Sequence, residues 1–186
     1  MIAGIVIAVI VAIIVIWFIV AYNGFVKANN NVEESFATMD VYMKKRYDLI
    51  PNLVETVKGY AKHESETFAK VTEARNMAQG ADSIEGKVQG ENMLTGALKS
   101  LFAVAEAYPD LKANQNFMDL QKQLQQVEQD IANARKYYNA VVKMFNNKCQ
   151  MFPSNIVAGM FHYSPKQMFE VESEEERQNV KVDFNA

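Results

Sequence analysis

His63 and Glu64 stand side by side as at the start of a zincin motif, in which two histidines one helical turn apart hold zinc and the glutamate between them acts as base. The second histidine is required at position 67, where this chain has Thr67. Helical bundles that hold two metal ions place a Glu three residues before a His on each of two helices. Here the residues three before His63 and His162 are Tyr60 and Gly159. The chain has no G-x-S-x-G elbow and no phosphate-cradling glycine loop. Its one cysteine, Cys149, has no suggested base and no second cysteine for a disulfide or zinc site. It reads as a small packed or surface residue and fits a reducing compartment. The sequence therefore predicts no catalytic residue, no metal site and no cofactor.

Several polar residues interrupt otherwise apolar helical stretches: Arg46 and Asp48 beside Ile50-Pro51, Glu64, Arg75, Glu106, and Arg135 with Asn139 and Asn146. A solvated helix face accounts for residues of this kind. The alternative is a buried polar network that sets helix register, because each buried charge needs a partner. If Arg46 and Arg135 are buried and paired, Arg46→Ala or Arg135→Ala lowers stability by roughly 3–5 kcal/mol.

The 186 residues suit one domain of ordinary size, 49% hydrophobic and 22% charged, with a formal net charge of -3. All 19 Lys+Arg and 22 Asp+Glu lie at or beyond Lys27. With acidic and basic residues interleaved there is no electrostatic footprint for a phosphate backbone, so nucleic acid is excluded as a partner. Residues 1–22 are charge-free and mostly Ile, Val and Ala; as a helix they span roughly 30 Å, enough to cross a bilayer. A cleaved secretory signal fits less well, because no basic n-region precedes an apolar run about twice the usual length. The pattern predicts an uncleaved anchor with Trp17 and Tyr22 near one interface. Lys27 and then Lys44-Lys45-Arg46 follow the span, which places the N-terminus outside and the helical domain in the cytoplasm. Gly4, Ala8 and Ala12 recur every four residues on one face of the span, a spacing that lets two such helices approach closely and self-associate.

Beyond the span, apolar residues keep helical spacing: Val32, Phe36, Met39 and Met43, then Leu53, Val57, Tyr60, Ala61, Phe68 and Val71. Pro51 predicts two helices, or one kinked helix, with a break near residues 48–51. Residues 79–83 read as a turn. A third stripe (Leu94, Ala97, Leu98, Leu101, Phe102, Ala105) ends before the proline turn Tyr108-Pro109-Asp110. The fourth runs through Phe117, Leu120, Leu124, Val127, Ile131, Ala134, Tyr138, Val141 and Phe145. The fold class that follows is all-α: an N-terminal transmembrane helix (1–24), an antiparallel bundle of about four long helices (25–150), and a C-terminal part (151–186). That part comprises an apolar segment able to cap the bundle or touch membrane or partner, an acidic run from Glu170, and a short irregular or strand-like tail in which Val180, Val182 and Phe184 alternate.

The strings Arg46-Tyr47-Asp48-Leu49-Ile50-Pro51-Asn52-Leu53-Val54 and Val57-Lys58-Gly59-Tyr60-Ala61-Lys62-His63-Glu64 resemble the signature of the LemA family of bacterial membrane proteins. Glu106-Ala107-Tyr108-Pro109-Asp110-Leu111-Lys112-Ala113-Asn114, Ala134-Arg135 with Tyr138-Asn139, and Phe152-Pro153-Ser154 agree in order and spacing. Two stretches depart from that pattern: residues 146–150 are more polar, and Phe161-His162-Tyr163 replaces a Gly-Phe-type step. The resemblance implies a single-pass protein of the bacterial inner (cytoplasmic) membrane with a helical domain and no established enzymatic activity. It also implies an association with magnetosome-membrane biogenesis or with membrane-embedded heat-shock proteases. Its polar positions are matched here by Arg46, Asp48, Glu64, Arg75, Arg135 and Asn139, none of them a recognised active-site residue. The expected function is a membrane-anchored, non-enzymatic helical scaffold that self-assembles and serves membrane organisation or stress. The alternative is an accessory subunit of a membrane protease or envelope-stress complex. The expected partners are the lipid bilayer, further copies of the chain, and membrane protease or stress-response proteins.

Overall fold

The structure, a computed structural model, describes residues 1–170. The alternation of Val180, Val182 and Phe184, and the acidic run beyond Glu170, lie outside the described residues. Among those described every regular element is helical: α1 (Ile2–Lys58), α2 (Ser65–Gly80), α3 (Ile84–Glu106), α4 (Pro109–Lys112), α5 (Gln115–Gln150) and α6 (Ser154–Met160). Their internal contacts divide the residues into two compact units.

The first unit holds Met1–Arg46 and Lys122–Met168. Buried Val32, Ser35, Met39, Met43 and Arg46 follow one another at three- and four-residue steps on α1. Leu124, Val127, Ile131, Ala134, Tyr138, Val142 and Phe145 do the same on α5, so each helix turns one continuous stripe inward. Phe25 meets Phe145 edge-on at 6.2 Å, Phe36 meets Tyr138 at 5.7 Å, and Arg46 meets Glu128. Partner numbers fall on α5 as they rise on α1, so the two helices run antiparallel. After α5 the chain folds back. Ser154 shares its one hydroxyl proton between the carbonyls of Lys148 (2.7 Å) and Met151 (2.8 Å), and α6 turns Val157 and Ala158 inward. The Asn146 side chain then clamps the backbone of Lys166, donating to its carbonyl at 2.8 Å and accepting from its N–H at 2.7 Å. Tyr138 donates to the carbonyl of Gln167 at 3.0 Å. These bonds satisfy backbone groups that an extended segment otherwise leaves bare.

The second unit holds Tyr47–Gln121, with Phe169. Tyr47, Ile50, Leu53, Val54 and Val57 are its buried residues from α1. The helices α2 and α3 pack together across a three-residue turn. Ser83 caps α3, its hydroxyl accepting from the Gly86 N–H at 3.0 Å. Gly90 lies so near α2 that a side-chain carbon there would stand 2.5 Å from the Ala78 Cα. Pro109 occupies the first turn of α4, where a missing N–H costs nothing. Asn114 opens α5, accepting from the Phe117 N–H at 3.0 Å and donating to the Tyr60 hydroxyl at 2.9 Å.

The break expected near residues 48–51 is absent. Helix α1 continues through Pro51 to Lys58, and the chain turns at residues 59–64 instead. Pro51 has no N–H for the carbonyl four residues earlier, that of Tyr47. Arg75 on α2 supplies the missing donor through Nε at 2.7 Å. Burial of Ile50, Leu53, Val54 and Val57 on both sides of the proline favours one continuous helix over the two separate helices that local preference also allows.

Candidate functional site

The six residues expected to form a polar network fall into separate environments. Within the first unit Arg46 is buried, and its NH1 group lies 2.8 and 3.0 Å from the two carboxylate oxygens of Glu128. The guanidinium side chain is 2% exposed and that of Glu128 43% exposed, so one end of the pair reaches solvent. Arg135 and Asn139 are half-buried and one helical turn apart on α5. The condition for a large Arg→Ala effect, a fully buried charge, is therefore met by Arg46 and not by Arg135.

Within the second unit Arg75 is half-buried, bound to the Tyr47 carbonyl and at 3.2 Å to Asn76 Oδ1. The Tyr47 hydroxyl donates at 2.5 Å to Glu91 Oε1, and Glu91 is only 3% exposed. Tyr47 is thus gripped twice, by α2 at its backbone and by α3 at its side chain. Asp48 is exposed; Glu64 is half-buried ahead of α2, its side chain making no capping bond and its carbonyl accepting from Phe68 N–H at 3.2 Å.

Sequence reasoning missed Tyr47, Glu91 and Glu128. A signal existed for two of them. Tyr47 stands four before Pro51 and must lose its helical donor. Glu91 falls in register with Leu94, Leu98 and Leu101, so a carboxylate occupies the apolar stripe of α3. Nothing marks Glu128 among the many polar residues of α5.

These arrangements tie helices to one another, and the Tyr47 phenol and Glu91 carboxylate, 2% and 3% exposed, are buried against each other. Burial pushes the Cys149 thiol up, opposed by the nearby charges of Lys148 and Lys166, so the thiolate is suppressed. Burial likewise raises the Tyr138 phenol. His63 is exposed, and among the described residues no three His, Cys, Asp or Glu side chains gather as metal ligands. A surface groove of about 900 Å³ in the second unit is lined by Lys58, Lys62, Ser65, Phe68, Thr72 and Asn76. Its Lys58 ammonium is already engaged, 2.8 Å from Glu55 and 5.9 Å from the Phe68 ring centre.

The first turns of α1 are a different surface. Every residue from Met1 to Trp17 is exposed, including Gly4, Ala8 and Ala12, and a side-chain carbon added at Gly4 would meet nothing within 4 Å. This helix is long and apolar enough to cross a membrane.

Residues 35–184 match the LemA family. The chain is 27% identical over 141 residues to Protein LemA of Metamycoplasma hominis, covering 73% of this chain and 63% of that protein. It is 24% identical over 175 residues to each of two proteins of Paramagnetospirillum magneticum, Magnetosome protein MamQ 1 and Magnetosome protein MamQ 2, covering 80% of this chain and 64% of each. The chain spans under two thirds of the length of these relatives.

Proposed function

The chain belongs to the LemA family, and from that premise we propose that it is a membrane-anchored, non-enzymatic helical scaffold that assembles with itself and organises the membrane that holds it. The observation that carries this reading is the exposure of all thirteen Ile and Val side chains between Ile2 and Val20. Each such side chain forgoes roughly 1.5–3 kcal/mol by staying in water. Together they exceed the about 5–15 kcal/mol that holds a domain folded. A bilayer removes that cost, since a helix satisfies its own backbone and residues 2–16 of α1 present only apolar side chains.

In this reading residues 1–24 span the bacterial inner membrane with the N-terminus outside. Residues 25–150 form an antiparallel bundle of about four long helices in the cytoplasm, and 151–186 are its C-terminal part. The positive charges that follow the span support the orientation. The Arg46, Tyr47 and Arg75 contacts support a structural role for the polar residues, because each ties one helix to another. Two relatives named magnetosome proteins support a role in membrane organisation.

Carbonate washing of membranes from expressing cells tests the anchor: the full chain stays in the pellet and leaves it only with detergent. Release by carbonate alone would overturn the reading. For orientation, Cys149 is too buried to report. In a Cys149→Ser, Gln126→Cys chain, an impermeant maleimide should fail in intact spheroplasts and react after permeabilisation.

A further inference from the structure

Helix α6 and the residues beside it present an apolar surface at one particular place on α1. Val157 and Ala158 face inward, whereas Phe152, Ile156 and Met160 recur every four residues and point outward, exposed by 79%, 51% and 59%. Phe161 follows, its ring 4.5 Å from that of Tyr22 and 5.9 Å from that of Phe18. Those two aromatics lie near the end of the uncharged stretch of α1, which runs to Val26, and Phe18 lies about 6 Å deeper along the axis than Tyr22. Phe161 therefore stands where hydrocarbon gives way to headgroups if α1 spans a bilayer. The charges are ordered the same way. The Lys148 ammonium lies 4.9 Å from the Phe25 ring, and Phe25 is about 10 Å further along α1 than Phe18, on the water side. Lys27 is exposed at that level. Apolar side chains at the acyl boundary with ammonium groups above them are the arrangement of a helix lying in the membrane interface.

We propose that α6 with its flanking Phe152 and Phe161 is an interfacial foot: Phe152, Ile156, Met160 and Phe161 embed in the leaflet at which α1 leaves the bilayer. The inference rests on the reading of α1 as a membrane span. Lipid is the occupant because the Phe18, Tyr22 and Phe161 contact sets Phe161 at the boundary of hydrocarbon and headgroups, and Phe152, Ile156 and Met160 are exposed apolar side chains within nine residues of it. The foot gives the chain a second lipid contact, which resists any tilt of α1 that would lift α6 out of the leaflet.

Full-length chain carrying Cys149→Ser and one new cysteine, at Ile156 or at Met160, is labelled with a nitroxide and reconstituted in vesicles of phosphatidylcholine and phosphatidylglycerol. Power saturation compares accessibility to oxygen, which concentrates in lipid, with accessibility to a water-soluble nickel chelate. Ile10→Cys serves as a span control and Asn133→Cys as an exposed control on α5. The oxygen-to-nickel ratio at 156 and 160 should exceed that at 133 several-fold. A lipid-buried probe at 10 with water-exposed probes at 156 and 160 overturns the foot alone. A water-exposed probe at 10 overturns the span reading and the foot with it. Probes at 156 and 160 shielded from both reagents place protein over the patch and overturn the lipid assignment. Agreement between the two positions guards against one label disturbing the fold.

Discussion

Arg75 donates through Nε, at 2.7 Å, to the Tyr47 carbonyl, the acceptor that Pro51 deprives of its helical N–H. A side chain from α2 thereby replaces a backbone bond of α1, and the proline that predicts a break becomes a docking point for the neighbouring helix. Arg75→Ala should cost about 1.5–3 kcal/mol, the range for a bond with a charged donor. In a Pro51→Ala background the backbone N–H returns, and the same substitution should cost less than about 1 kcal/mol. Equilibrium unfolding of the four chains in mild detergent measures the coupling. Equal costs in both backgrounds would show that Arg75 acts elsewhere.

Glu128→Ala removes the carboxylate facing a guanidinium that is 2% exposed. The loss should be near the lower end of about 3–5 kcal/mol, because Glu128 is itself partly hydrated and Arg46 keeps its other contacts. Arg46→Met, which removes the charge and keeps the packing, should cost less than Glu128→Ala. A Glu128→Ala chain as stable as one with the exposed Gln125→Ala would remove the pair from the structural account.

Gly90→Ala forces a methyl group against the Ala78 backbone, with carbon and nitrogen atoms at 2.5 and 2.8 Å. Alanine ordinarily favours a helix over glycine, so local preference predicts stabilisation. Overpacking wins instead, and α3 must shift from α2 at a cost of about 1–3 kcal/mol. A higher unfolding midpoint for Gly90→Ala would contradict the close approach.

Burial raises both the Cys149 thiol and the Tyr138 phenol. The folded chain therefore keeps protons that the unfolded chain releases, and stability falls as pH rises past the unfolded values, about 8.5 for cysteine and about 10 for tyrosine. Lys148 works the other way, because desolvation lowers its ammonium. Comparison with Cys149→Ser isolates the thiol. Against that variant the wild type should hold its relative stability up to about pH 8.5 and lose it above. Parallel pH profiles would mean that the thiol is not buried in solution.

The helical stripes, the apolar span and the turns near residues 80 and 109 were legible because each is written in local spacing and in proline or glycine placement. The continuity of α1 was not, since its missing donor comes from Arg75, 28 positions later. The fold-back of residues 151–169 hid for the same reason: Asn146 clamps Lys166, 20 positions away, with bonds that no periodicity encodes. Among the polar residues, exposure separated Asp48 from Arg46, although both interrupt the same apolar stretch.

Self-assembly through the span is the central claim, and the mass of the full-length chain in mild detergent tests it most directly. Gly4→Ile with Ala8→Ile fills the small-residue face without reducing hydrophobic insertion, and Gly4 has room for the added bulk within its own chain. The wild type should run as a defined homo-oligomer and the double variant at a lower mass. Equal masses, whether both monomeric or both oligomeric, would contradict assembly through this face.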